Sequence, residues 1–306
     1  MYFAVDQADP MMLARVLQEQ LLTAHSQASE RTITRWFAVV DGAFDYGRRA
    51  LSWHLPVARV YEATTLDSLK ALSPYLAALP APQDASFEKY VRQLIRHCSG
   101  RPMLSFIACN VEANELCAQW QRCVMLQTAG DNDPYLLRFA DTRVLPALVT
   151  LPNQNLWRAL TESISQWSVV DRTGALLGWQ TDAQGMQVQT DNADGEMLEL
   201  TDQDLSHLLK SGQADSVINA IEDQLPELLP ERKRSQFHER VQIACDLADR
   251  HQIDAFPDLV ALAVVGHLTA GGIYEDAAVL KLLAERRWTN GQLNDALIEF
   301  LPEEAL

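Results

Sequence analysis

The sequence predicts an N-terminal lobe of α/β (or α+β) type followed by a mostly α-helical C-terminal lobe. Three observations carry this. Up to about residue 190, short apolar runs of strand length alternate with stretches of helical apolar spacing. From Thr201 onward every apolar pattern is helical. Charge is divided unevenly as well: residues 1–185 hold 16 basic and 18 acidic residues, whereas residues 186–306 hold 9 and 23. The polar, turn-rich stretch TDNADGEM (190–197) lies between the two patterns. We therefore expect a mixed domain over 1–190 and an acidic helical bundle over 191–306.

Asp9 followed by Pro10 is an N-cap and first-turn signature, and Met12, Val16, Leu17, Gln20 and Leu21 give the first helix a mixed face. Phe37 to Val40 is a short apolar run closed by Asp41-Gly42, which reads as a buried strand entering a turn. Val57, Arg59 and Tyr61 alternate as a second strand. SLKALSPYLAAL (68–79) has helical spacing that Pro74 threatens to break. Phe87, Val91, Leu94 and Ile95 define a helix, MLSFIAC (103–109) a third strand, and Leu116 and Trp120 one face of another helix. Two apolar runs flank GDNDP (130–134) in CVMLQTAGDNDPYLLRFAD, a hairpin pattern. After Asp141 the spacing turns helical through Leu145 and Leu148, and Asn153 can cap a helix that carries Leu156, Trp157, Leu160 and Ile164. QWSVVDR, LLGWQT and MQVQT read as short strands.

In the second lobe, Thr201 and Asp204 resemble a capping box. Phe237, Val241, Ala244, Cys245 and Ala248 form a helical stripe. The segment from Asp258 to Gly272 is apolar almost all round and should be the central helix. Thr289 and Gln292 suggest a second capping box before Leu293, Leu297 and Phe300.

A net charge of −16 argues against nucleic-acid binding, which needs a basic face. Cys98, Cys109, Cys117, Cys123 and Cys245 include no C-x-x-C pair, so reduced core cysteines are expected, with no metal and no cofactor. The N-terminus lacks a signal-peptide pattern, and no apolar run approaches the ~20 residues that cross a bilayer. The expectation is a cytoplasmic protein without a membrane partner. No phosphate-binding loop, dinucleotide fingerprint, H-E-x-x-H or G-x-S-x-G occurs. HERVQ at His238 lacks a second histidine, and DNADGE at Asp191 lacks calcium-loop spacing. His267 reads as a hydrogen-bonded core histidine, and ERKR (231–234) as a solvated face. Asp41 and Asp141, at strand ends, and His54, on a loop, are the only groups from which a small hydrolase or transferase could be built. For the two aspartates, capping a turn or helix is the stronger expectation.

YLLRFADTRVLPAL (135–148) resembles the R-F-[YA]-D-P-R-V-L signature of the effector chaperone (adaptor) family of type VI secretion systems. FAVVDGA (37–43), VYEA (60–63), LSPYL (72–76) and LWRALTESISQW (156–167) are similar to further family segments in the same order. DLVALAVVGHL and LLAERRWTNGQL look like the family's C-terminal extension. The resemblance singles out Asp41, Gly42, Tyr61, Pro74, Arg138, Phe139, Asp141, Arg143 and Trp167 as structural motif residues. Arg138 should lie on the polar face of a strand, with Asp141 capping the next helix and pairing with Arg138 or Arg143. Thr142 and Ala63 stand where the family has Pro and Gly; Ala63 implies a position that needs no positive φ. What the resemblance implies is a non-enzymatic cytoplasmic adaptor that binds an effector toxin and helps load it onto the VgrG-type spike protein.

Overall fold

A computed structural model describes residues 1–27, 34–48, 51, 57–128, 131–181 and 198–301. The chain forms two compact units, Gln7–Lys210 and Met1–Asp6 with Ser211–Leu306. The sequence placed the division at 190/191. It falls at 210/211 because β9 (Leu198–Leu200) and α6 (Asp202–Ser211) are tied to the first unit. β9 pairs with β5 (Met125–Thr128), and Asp204 accepts the Asn153 N–H at 2.9 Å.

The mixed unit is built on a six-stranded sheet in the order β2-β3-β1-β4-β7-β8. Its strands are β1 (Arg35–Asp41), β2 (Val57–Arg59), β3 (Pro74–Ala78), β4 (Leu104–Cys109), β7 (Ile164–Val170) and β8 (Leu176–Gln180). Every pairing in it is antiparallel, so the lobe is α+β. Strands β1, β3 and β4 are buried on both faces over most of their length. Phe37, Val39, Leu76, Ile107 and Trp167 join a core with α3 (Ala113–Gln121), α4 (Leu145–Val149) and α5 (Asn155–Thr161). Ala38, Val40, Ala77 and Phe106 alternate with them and are equally buried. α1 (Pro10–Gln27) packs on α2 (Phe87–Cys98) and reaches β8. Asp9 caps α1 through the Met11 and Met12 amides, as its position before Pro10 predicts. The hairpin forms from β5 and β6 (Asp131–Leu136).

One helix prediction fails. In SLKALSPYLAAL only Asp67–Leu72 turns helically, as a 3-10 segment, and Pro74–Ala78 is strand β3. Proline ends the helical turn and supplies a strand whose Tyr75, Leu76 and Ala77 are wholly buried. MQVQT, the 190–197 boundary and the SWHLP loop with His54 lie outside the described residues.

The helical unit holds α7 (Gln213–Gln224), α8 (Arg234–Arg250), α9 (Phe256–Leu268), α10 (Ala277–Glu285) and α11 (Leu293–Leu297). The predicted stripe on α8 and the apolar α9 meet in one core. Thr201 and Asp204 form their capping box, with Asp204 N–H donating to Thr201 Oγ1 at 3.1 Å and Thr201 N–H to Asp204 Oδ2 at 3.1 Å. The second box is replaced. Asp258, wholly buried near the start of α9, accepts from Trp288 Nε1 (2.9 Å), Gly291 N–H (2.9 Å) and Leu293 N–H (2.8 Å). A long-range carboxylate thus caps α11 and joins the two C-terminal motif segments. ERKR is more than a solvated face. Its Arg234 N–H donates to Asp6 Oδ1 at 2.7 Å, and its guanidinium sits 5.1 Å from the Tyr2 ring centroid. His267 is hydrogen-bonded to the Leu228 main chain, as a core histidine is expected to be, but through one ring nitrogen alone. It lies edge-on to Phe237 at 4.8 Å, and its Nδ1 is buried without a hydrogen-bond partner.

Two measurements test this core. Asp258→Ala strands three donors, two of them main-chain, and should cost about 3 kcal/mol in urea unfolding of the helical unit. His267 has its pKa lowered from 6.5 by burial first and by the Arg240 charge second. The native state therefore holds it neutral while the unfolded chain takes up a proton near 6.5. Its stabilising contribution is complete above pH 6.5 and is lost as pH falls through that value towards the lower native one. Hydrogen exchange over α8 and α9 should accelerate from pH 7 to pH 5 beyond the intrinsic chemical rate change, and His267→Gln should remove that excess.

Candidate functional site

The motif residues converge on the C-terminal end of β1. Asp41 ends the strand and enters a 3-10 turn, Gly42–Asp45. Its Oδ1 accepts the Ala43 N–H at 3.0 Å, the turn cap that a strand-end aspartate suggests. Its Oδ2 accepts from Arg138 Nη2 at 2.7 Å, 97 residues away in sequence. The same Nη2 stands 3.8 Å from Asp141 Oδ2. Arg143 grips Asp141 with two parallel bonds, Nε to Oδ1 at 3.0 Å and Nη2 to Oδ2 at 2.7 Å. Both guanidinium groups approach the Phe44 ring, at 5.0 Å for Arg138 and 5.7 Å for Arg143.

Two details differ from the sequence expectation. β6 ends at Leu136, so Arg138 lies beyond the strand and turns towards Asp41. Asp141 caps a turn, accepting the Arg143 N–H at 3.0 Å, and α4 begins only at Leu145.

The other motif residues support this corner. Gly42 lies against the chain just before β3: a Cβ there would collide with the Ser73 carbonyl oxygen. Pro74 is the register partner of Asp41, and its carbonyl accepts the Val60 N–H at 3.0 Å. Tyr61 is buried, and its hydroxyl pKa is pushed up to about 12, by burial first and then by the Asp41 charge. Phe139 and Trp167 lie in the core. Trp167 stacks on Trp120 (5.6 Å) and Trp157 (5.8 Å), meets Phe139 edge-on at 6.2 Å, and donates to Ser105 Oγ at 3.0 Å.

A second set at this turn was not visible in the sequence. Asp45 Oδ1 binds His97 Nε2 at 2.8 Å and Arg101 Nη1 at 3.0 Å, and its Oδ2 accepts from Tyr75 OH at 2.9 Å. Arg101 also donates to the Phe44 carbonyl at 2.9 Å. The two aspartates respond oppositely. Burial raises the Asp41 pKa, outweighing the opposing pull of Arg138. Burial also pushes Asp45 up, but His97, Tyr75 and Arg101 together bring it below the ordinary carboxylate value. By linkage, Asp45 contributes stability above its unfolded pKa of 3.8 that is lost as pH falls below it. Ionised Asp41 costs stability, and that cost is relieved as pH falls.

All five cysteines are free and buried. Burial raises the Cys117, Cys123 and Cys245 thiols to about 12, so they stay protonated. Among the described residues no three His, Cys, Asp or Glu side chains gather to hold a metal. No helix among them is long and apolar enough to cross a membrane. An open groove of about 400 Å³ runs past Trp36, Leu79, Pro80 and Pro82, away from the motif residues.

Residues 36–159 match the model of the family described as Domain of unknown function (DUF4123), about two-fifths of the chain. The matched segment holds every motif residue named above except Trp167. No curated protein and no solved structure shows significant similarity to the chain.

Ala63 and Thr142, singled out in the sequence, both have structural consequences. Ala63 takes φ +57°, contrary to the sequence expectation, so glycine suits that position and alanine is strained there. Ala63→Gly should raise stability by about 0.5 kcal/mol, the relief of strain set against the entropy glycine adds to the unfolded chain. Thr142 N–H donates to the Pro102 carbonyl at 3.0 Å, a bond proline cannot make. Gly42→Ala should cost more than about 3 kcal/mol, because its neighbour is main chain and cannot yield. Arg138→Ala, leaving Asp41 buried and unpaired, should cost about 2–3 kcal/mol, and Asp41→Asn less. Chemical denaturation of the purified variants gives all three comparisons.

Proposed function

We propose that the protein is an adaptor that binds a type VI secretion effector toxin in the cytoplasm and helps load it onto the VgrG-type spike. The observation that carries this reading is the coincidence of two facts about one place. The DUF4123 match, a family associated with type VI secretion adaptors, covers the motifs from Phe37 to Leu148. Asp41, Arg138, Asp141 and Arg143 of those motifs lock one corner of the sheet with charges. In that corner Asp41 and Asp141 are spent on turn amides and arginine partners. Groups held in this way favour a platform that fixes a binding surface over an acid–base pair that exchanges protons. The hydrolase or transferase alternative finds no such support from either aspartate.

The test is co-expression with the toxin encoded beside this gene and with its spike protein. A stable adaptor–effector complex should survive gel filtration, and the effector should be less soluble without the adaptor. An effector that is soluble alone and elutes apart from the adaptor overturns the reading.

A further inference from the structure

The signs of charge at the β1 corner are sorted by depth. The carboxylates lie underneath: the Asp41 and Asp141 side chains are 2% and 3% exposed. The cations lie above: the Arg138 side chain is 40% exposed and that of Arg143 19%. The cluster is balanced in total, but what solvent meets is guanidinium. Beneath and beside it the same stretch carries two aromatic rings, one buried and one exposed. The Phe44 ring supports both arginines, and Tyr46, one residue past the turn, is 71% exposed. Arg48 follows in exposed backbone, its N–H held by the Asp45 carbonyl at 3.0 Å.

We infer that this face, formed by Tyr46, Arg48, Arg138 and Arg143 around Phe44, is a docking surface for an acidic segment of the effector. The inference rests on the adaptor reading above and supplies the partner's chemistry and its place. Three physical reasons support it. Tyrosine and arginine are the side chains that most often dominate protein–protein binding energy. Arg138 is already fixed by Asp41 and Phe44, so a carboxylate that meets its outward edge orders little that is mobile. The turn itself is held from both ends, by Asp41 on Ala43 and by Asp45 on His97, Arg101 and Tyr75. The occupant is acidic because, among the described residues of this turn, the charged groups that reach solvent are cations: Arg138 and Arg143 lie over the buried Asp41 and Asp141, Arg48 is exposed, and the turn's remaining carboxylate, Asp45, is held by His97 and Arg101. A nucleic acid needs an extended basic face along its backbone, and this one offers three arginines.

The probe is a fluorescent octaglutamate peptide, followed by anisotropy with the full-length protein at 50 mM and 300 mM salt. Binding should weaken at least tenfold between the two salts and be absent for an octalysine control. Tyr46→Ala and Arg48→Glu are exposed changes that leave the corner's hydrogen bonds intact, and each should weaken binding at least fivefold with an unchanged melting temperature. Failure of the peptide to bind, or binding unaffected by both substitutions, overturns the inference. The co-expressed effector is the second arm. If the complex forms and survives Tyr46→Ala combined with Arg48→Glu, the docking surface is wrong and the adaptor reading stands. If no complex forms with the unaltered protein, it is the adaptor reading that fails, and the peptide titration still decides the surface. A complex with the spike protein that those substitutions abolish, while the effector complex persists, assigns the face to the spike and overturns the inference as stated.

Discussion

The ion pair between Asp41 and Arg138 is the constraint on which the corner at the end of β1 depends. Central strand β1 must stop, turn and remain buried, and its last side chain is a carboxylate with almost no access to water. Such a group is expensive unless its lone pairs are occupied. One oxygen is satisfied locally by the Ala43 amide and the other by an arginine 97 residues on. The pair therefore joins the first strand of the sheet to the chain leaving the hairpin, closing a long loop at a single point. That the Asp41 pKa is still raised shows the balance: desolvation remains larger than the attraction. The arrangement is better read as specifying where the chain must turn than as a source of net stability.

From that point the remaining geometry follows. Arg138 cannot reach Asp41 without passing Asp141, and Asp141 is held by Arg143 from two residues away. Phe44 fills the space that two guanidinium groups share. Gly42 is required because the Ser73 carbonyl, one residue before β3, stands where its Cβ would be. The glycine is therefore demanded by close approach, not by a left-handed backbone. Below the charges, three tryptophans and Phe139 form a rigid floor. A surface built on such a base keeps its side chains in place before any partner arrives.

What the sequence revealed, and what it hid, divides along range. Strands β1, β4 and β7, the helix faces of α2, α3 and α8, and the Asp9 and Thr201 caps rest on neighbours within a few residues, and these were legible. The partner of Arg138 was not, because no spacing rule connects positions 41 and 138. Asp45, His97 and Arg101 were missed for the same reason, since each is ordinary in its own segment. Pro74 was read through helical spacing, yet burial of Tyr75 to Ala77 made the segment a strand; tertiary pairing overrode local pattern. The boundary at 190/191 followed composition, whereas β9 and α6 belong with the first unit through a strand pairing and the Asp204–Asn153 bond. Ala63 shows the limit of reading a substitution: its identity was taken to report the backbone, and the backbone kept its positive φ regardless.

The same device recurs in the helical unit, which suggests why aspartate is used. Asp258 is buried at the start of α9 and accepts two main-chain amides and the Trp288 ring N–H from a segment some thirty residues on. Asp41 likewise takes one main-chain amide and one distant side-chain donor. A hydrophobic residue at either place would avoid the desolvation cost but would leave amides of the adjoining turn or helix end without an acceptor. An asparagine would keep one acceptor oxygen and present an NH₂ where a second donor already points. Only a short carboxylate offers two acceptors at that reach, and its cost in burial is offset by fixing a junction that apolar packing would leave free to slide. In the mixed unit this places an arginine at the surface over its own counter-charge. The residues that make the fold unique at that corner are then the same ones that give the face its exposed cations.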